Sequence, residues 1–181
     1  MTIHELAIDT FVHMLGTLTH VLDKAAEHAV ARKFELSALS GARLAPDMFP
    51  LSTQIYLACH HAKDGPARLM GQEPPALERI QESFEQSGAR IKATAEHLRG
   101  IPRTAFDGAE QRKITITVNP ERIFEMTGWQ FIRDWTLPHF YFHVVTAYDI
   151  LRDCGVEIGK RDYMRHVAAV NTTGRCAAAT P

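Results

Sequence analysis

The stretch from Phe131 to Leu151 limits the possible folds most, because it is apolar around almost the whole circumference of a helix. At about 3.6 residues per turn, two histidines and two threonines fall in one row that apolar and aromatic residues flank on both sides. The row consists of Ile132, Thr136, His139, His143, Thr146 and Ile150. Such a helix must be buried against other helices, so its polar side chains need partners inside the protein. Pro138 is expected to kink it one turn before His139.

Three further segments have the periodicity of amphipathic helices, at residues 3–31, 48–70 and 77–98. Between the third and fourth helices, Lys113–Val118 alternates strictly with β-branched residues, and Arg122–Met126 returns after a turn. This pattern is typical of a short hairpin. We therefore expect an all-α four-helix bundle with one β-hairpin between the third and fourth helices.

Length and charge indicate a single domain without a nucleic-acid or membrane partner. Of the 181 residues, we assign 1–165 to one helical-bundle domain and 166–181 to a flexible C-terminal tail. The 20 Lys and Arg residues balance the 21 Asp and Glu residues, and no basic block favours nucleic acid. There is neither an apolar run of transmembrane length nor a signal peptide, and three scattered cysteines suit a reducing cytoplasm.

Two histidines in the apolar helix form a candidate metal site. His139 and His143 stand four residues apart, so a helix presents both imidazoles on one face to one ion. Core histidines that are satisfied by hydrogen bonds have the same spacing. On the second helix, Asp47, Gln54 and His61 are spaced by seven and form a polar row. A third ligand from that helix would be His61 rather than His60, which is expected to point further from the core.

The first helix also contains histidines, and these are expected to be solvated. His13, Thr17, His20 and Lys24 share the face opposite the apolar stripe. This position favours surface residues over metal ligands.

Three segments resemble a known bacterial family. They are RLAPDMFPL at residues 43–51, FDGAE at residues 106–110 and FYFHVVTAYDILR at residues 140–152. Over nearly its whole length the chain resembles the family catalogued as domain of unknown function 1993, which is grouped with the DinB/YfiT-like bundles. The resemblance implies a DinB-like four-helix bundle that is often dimeric.

The resemblance also implies a metal site. In the wider superfamily, a divalent metal such as nickel or zinc is held by one histidine of the second helix and a His-x-x-x-His pair of the fourth. His61, His139 and His143 match these positions, and some such relatives are thiol-dependent transferases or hydrolases. Members of the closer family, which has no assigned reaction, often have Asn where His139 stands and lack the second-helix histidine. Their recurring residues would form a polar network without metal; these are Asp47, Gln54, His143 and Tyr148.

Three functions follow as hypotheses. The first is a metalloprotein or metal-dependent enzyme with His61, His139 and His143 as ligands, supported by Asp47, Gln54 and Thr146. The second is a small-molecule or thiol-binding module with His143 as its polar group and an aromatic lining of Trp129, Trp135 and Phe140. The third is a non-enzymatic homodimer, for which the hairpin would present Ile114, Ile116 and Val118.

Overall fold

The computed structural model describes residues 1–78 and 81–170. Eight α-helices lie in this part of the chain: α1 (Thr10–Arg32), α2 (Leu36–Gly41), α3 (Leu51–Leu69), α4 (Phe84–Arg99), α5 (Gly128–Gln130), α6 (Leu137–Asp153), α7 (Lys160–Tyr163) and α8 (Arg165–Val170). Two π-helical segments, Glu5–Asp9 and Phe131–Thr136, precede α1 and α6, and two 3₁₀ turns occupy Arg103–Phe106 and Ala109–Gln111.

Four long helices form the bundle, as the periodicity predicted. α3 packs on α6 and on α4, and α1 packs on α4 and α6. Aromatic side chains fill the centre, where the rings of Phe11 and Phe140 meet edge to face with centroids 4.8 Å apart. The all-α four-helix bundle with one β-hairpin between the third and fourth helices, which was expected from the sequence, is confirmed. Among the described residues, none of the helices combines the length and apolarity that crossing a membrane requires.

The hairpin consists of β1 (Ile114–Asn119) and β2 (Arg122–Met126), paired antiparallel with Ile114 opposite Met126. Ile114 and Ile116 are buried in the core. The expectation that these two residues form part of an intermolecular surface is therefore wrong, because that face of β1 covers the bundle. The exposed apolar side chains of the hairpin are Val118, Ile123 and Phe124.

Two helix starts differ from the prediction. α4 begins at Phe84 rather than Leu77, because Ser83 forms a capping box with Gln86 at that point. α3 begins at Leu51 rather than Met48, with Pro50 at the cap position. Asp47 therefore caps no helix and lies exposed in a turn. In both cases the predicted start was too early, because an apolar side chain of the preceding loop, Leu77 or Met48, continues the apolar periodicity of the helix that follows.

A π-helical segment lies where the sequence predicts a kink before His139. Thr127 starts the helical stretch through a capping box with Gln130. Phe131–Thr136 then widens to π-helix directly before Leu137 and Pro138. Proline has no N–H for the carbonyl one turn earlier, and such wider turns accommodate the lost hydrogen bond.

The C-terminal helices cover a face of α1 that was expected to be solvated. Thr17 is buried and its hydroxyl donates to the Tyr163 carbonyl at 3.2 Å. His20 pairs with Asp162, with 2.9 Å between Nε2 and Oδ1. The prediction of a solvated His20 is therefore wrong, whereas His13 is exposed as expected. The predicted tail begins within α8, and its residues 171–181 lie outside the described residues.

Candidate functional site

Three histidines from two helices meet at the contact between α3 and α6. The ring centroid of His61 lies 4.9 Å from that of His139 and 5.5 Å from that of His143. α3 supplies the first ring and α6 the other two, one helical turn apart. The structure thus brings together the three residues that helical spacing singled out.

A glycine allows α3 to approach the fourth helical stretch closely beside this cluster. Gly65 lies one turn after His61, and a Cβ at this position would overlap the methyl group of Thr136. Thr136 in turn ends the π-helical segment before the histidine pair. Because no side chain separates the two backbones here, the histidines of both helices come within contact distance.

His143 is held by a buried glutamine. Its Nδ1 donates to Oε1 of Gln54 at 2.8 Å, and the Nε2 amide of Gln54 donates to the Phe49 carbonyl at 3.2 Å. Gln54 and His143 are 2% and 8% exposed, so both bonds are shielded from water. Since Nδ1 of His143 carries the proton, its Nε2 retains a free lone pair.

His139 is oriented by its own helix. Its Nδ1 donates to the Trp135 carbonyl at 2.7 Å, which again leaves Nε2 as the free nitrogen. The Trp135 ring packs on the imidazole with centroids 4.6 Å apart. Thr146 takes no part in this arrangement, because its hydroxyl donates to the Phe142 carbonyl at 2.7 Å.

Burial keeps two of the three rings neutral. Desolvation, followed by the nearby His139 and His143, lowers the pKa of His61 to about 3. Desolvation, followed by His139, lowers the pKa of His143 to about 4. In addition, Nδ1 of His61 is buried and has no hydrogen-bond partner among the described residues. Neutral imidazoles with free lone pairs are the form in which histidine binds metal.

Three imidazole nitrogens are suitable ligands for a divalent ion, but the three rings are not arranged to coordinate one ion in this structure. Within residues 1–78 and 81–170, no three His, Cys, Asp or Glu side chains stand in a metal-holding arrangement. Zinc requires nitrogens at about 2.0–2.1 Å from the ion. Binding would therefore draw the rings closer together, and the unpartnered Nδ1 of His61 leaves that ring without a hydrogen bond to break.

His60 differs from its prediction. It is only 9% exposed, so it does not point away from the core as expected. Its ring lies 6.2 Å from that of Tyr56 and borders a cavity of 160 Å³ together with Arg90. The segment before α4 and α4 itself cover this side of α3, and their position was not visible in the periodicity of α3 alone.

The other predicted residues lie apart from the histidines. Asp47 is exposed, and no hydrogen bond joins it to Gln54 or to the three imidazoles. Tyr148 packs edge to face on Tyr163 at 5.9 Å. Phe140 is fully buried against Phe11, and Trp129 is partly buried against the core. Two cavities, of about 820 and 670 Å³, lie along α3 toward α4 and toward the segment before α4, and Trp129, Trp135 and Phe140 are not among the described residues that line them.

Two aromatic residues that the sequence did not single out border the cluster. Phe142 is 60% exposed and meets the His143 ring edge to face at 5.3 Å. Phe124 of β2 lies 5.5 Å from Trp135. Phe142 could have been found from its place one residue before His143, whereas no sequence signal connects β2 with Trp135.

Comparisons with known proteins agree with this fold. The family described as "Domain of unknown function (DUF1993)" matches residues 3–164. A solved structure of a DinB family member protein from Shewanella denitrificans is 34% identical, with the match covering 89% of this chain and 90% of that chain, and its TM-score is 0.81. No curated protein matches the chain. The family resemblance carried by the segments at residues 43–51, 106–110 and 140–152 is thus confirmed.

Proposed function

The chain belongs to the DUF1993 family of DinB-like proteins, and we propose that it binds one divalent metal ion through His61, His139 and His143. The observation that carries this proposal is the hydrogen bonding of the rings. Nδ1 of His139 and of His143 each donates to a fixed acceptor, and Nδ1 of the third ring has no partner among the described residues. Metal-binding histidines characteristically donate their other ring N–H in this way, which fixes both tautomer and orientation.

Nickel and zinc are the candidate ions, because the resemblance to the wider superfamily implies them and imidazole ligands suit both. With three protein ligands, such an ion keeps a position for water or a thiolate and lowers the pKa of either. Gln54 would hold the His143 ring, the Trp135 carbonyl would hold the His139 ring, and Phe142 would limit access of water. No carboxylate among the described residues hydrogen-bonds to these rings. We therefore propose a thiol-dependent transferase or hydrolase reaction in which no carboxylate of the protein acts as the base.

Metal titration of protein purified without a histidine tag tests this proposal. After treatment with chelator and dialysis, isothermal titration with zinc or nickel should give about one site per chain. His143→Ala should abolish binding, and His61→Ala should weaken it at least tenfold. His60→Ala is the matched control, because it removes a neighbouring imidazole that faces the cavity beside Arg90.

Two results would contradict the proposal. One is the absence of both a binding isotherm and a thermal shift with either ion. The other is an equal loss of affinity in His60→Ala and His61→Ala, which would mean that the variants act through the fold and not through ligation.

A second candidate function, a non-enzymatic dimer, has its own support. Val118, Ile123 and Phe124 expose apolar surface on the hairpin at 54%, 56% and 43%. Surface of this kind is typical of contacts with another protein. We propose a homodimer in the cytoplasm, where Cys59 and Cys154, both free, remain reduced.

A further inference from the structure

We propose that a cleft between the start of α3 and the segment before α4 binds an uncharged apolar small molecule, which lies next to the histidine cluster. The cleft has a volume of about 670 Å³. Ligand pockets for small molecules measure about 300–1,000 Å³. It is lined by Phe49, Thr53, Tyr56, Leu57, Leu77, Glu78 and Gln81. Naming the bound molecule as a substrate rests on the proposed metal site, whereas its binding does not.

The chemistry of the lining selects the ligand. Phe49 and Leu77 are 58% and 64% exposed, and Leu57 continues the apolar wall along α3. Glu78 is the one charged residue among the described lining residues. An anionic group would be desolvated beside this carboxylate, so a neutral aromatic or acyl group fits better than an anion.

The walls of the cleft are tied in place. The Tyr56 hydroxyl accepts a hydrogen bond from the backbone N–H of Glu78 at 2.7 Å, which ties Glu78 to α3. Arg90 stacks over the Tyr56 ring with its guanidinium carbon 5.0 Å from the centroid, and so steadies the ring from the α4 side. A cleft with fixed walls binds a ligand at a lower cost in ordering.

The cleft adjoins the histidines through two connections. Leu57 precedes His61 by four residues on α3, a rise of about 6 Å along the helix. Gln54 also joins them, because it donates to the carbonyl of Phe49 in the cleft wall and accepts from His143. A molecule bound in the cleft therefore lies within one to two helical turns of the cluster, with the remainder of its surface against Phe49 and Leu77.

Two dyes with the same ring system test the selectivity. N-phenyl-1-naphthylamine is neutral, and 1-anilinonaphthalene-8-sulfonate adds a sulfonate to the same rings. We expect saturable fluorescence enhancement with the neutral dye on chelator-treated protein, and an affinity for the sulfonated dye at least tenfold lower. Equal affinities for the two dyes, or no saturable binding of the neutral dye, would overturn the proposal.

Charge substitutions test the location. Leu57→Lys should lower the affinity for the neutral dye at least tenfold, and Leu77→Lys should do the same at a position exposed enough to leave folding intact. Val30→Lys is the control, since Val30 is 80% exposed on α1 and outside the cleft. Unchanged dye affinity in Leu77→Lys, or an equal loss in Val30→Lys, would contradict this location.

The dye result and the metal result are separable. Because the titration is done in chelator, dye binding by a protein that takes up no zinc or nickel would support the cleft and refute the metal site. Metal binding by a protein that shows no preference for the neutral dye would support the metal site and refute the cleft.

Discussion

At the scale of single residues, the orientation of His143 depends on one amide. Gln54 accepts from Nδ1 of His143, and its own NH₂ group is occupied by the Phe49 carbonyl, so the amide has one possible orientation. A hydrogen bond of this kind fixes the tautomer that leaves Nε2 free. The candidate site therefore includes a residue that never touches the ion.

Replacing this amide should weaken metal binding and stability together. Gln54→Ala should lower zinc affinity by about 10–100-fold, since the loss of such a supporting hydrogen bond has that effect. The metal-free protein should lose about 1–3 kcal/mol, because the His143 N–H is left buried without an acceptor. Isothermal titration and urea unfolding measure the two effects. Thr53→Ala serves as the neighbouring control on α3, and a Gln54→Ala variant with unchanged zinc affinity would contradict the role given to Gln54.

The neutral histidines should make stability depend on pH. The pKa values of His61 and His143 in the folded protein, about 3 and about 4, lie below the ordinary value of 6.5. Between these values the unfolded chain binds more protons than the folded one. Stability of the metal-free protein should therefore be complete above pH 6.5 and should fall as the pH drops toward 4, by at most about 1.4 kcal/mol per pH unit for each ring.

Urea midpoints measured between about pH 7.5 and 4.5 test this dependence. A His143→Gln variant should show a shallower slope, whereas His13→Gln should keep the slope of the parent, because His13 is exposed on α1. Identical slopes in all three proteins would show that groups other than this cluster govern the pH dependence.

Much of the candidate site was accessible from periodicity alone. The four-residue spacing of His139 and His143 and the seven-residue spacing of Gln54 and His61 place all four on facing sides of two helices. The burial of His60 and the isolation of Asp47 were not accessible, since both depend on where the segments before α4 and α3 run. Loop paths of this kind leave no periodic signal in the sequence.

At the scale of secondary-structure elements, the close approach of α3 to the π-helical segment depends on Gly65. Gly65→Ala should destabilise the protein by about 1–3 kcal/mol, because the new methyl group meets that of Thr136. Gly88→Ala on α4 has open space at its Cβ position and should stabilise the protein by up to about 1 kcal/mol.

A double variant identifies the cause. Thr136→Ser removes the methyl group with which the added Cβ would collide, so Gly65→Ala/Thr136→Ser should recover part of the lost stability in urea unfolding. If the double variant is no more stable than the sum of the single changes predicts, the contact seen between Gly65 and Thr136 does not limit the packing of the two helices.

The elements themselves were predictable where local signals agree. The hairpin follows from strict alternation, and the start of the fourth helical stretch follows from the capping box of Thr127 and Gln130. The start of α4 was misplaced because Leu77 has helical spacing, although Ser83 and Gln86 carry the stronger capping signal. The cover that α7 places on Thr17 and His20 is a tertiary contact, which the pattern of α1 alone does not encode.

At the scale of the whole molecule, the hairpin carries exposed apolar side chains. Ile114 and Ile116 turn into the core, whereas Val118, Ile123 and Phe124 stay exposed, with Ile123 on the face opposite to that of Phe124 and Ile116. An isolated two-stranded sheet is marginal in water, and here only one face is covered by helices. We therefore expect the exposed part of the hairpin around Ile123 to contact a second copy of the chain.

Light scattering coupled to size exclusion tests this expectation at micromolar concentration. The parent protein should have twice the chain mass of 20.3 kDa. Ile123→Asp should give the monomer mass, because it places an unpaired charge in the centre of the proposed contact. Val30→Asp, at a more exposed apolar position on α1, should leave the dimer intact. A parent protein of monomer mass would refute the dimer. A dimer that persists in Ile123→Asp would mean that the two copies meet elsewhere, and the hairpin would then be a covering element of its own bundle only.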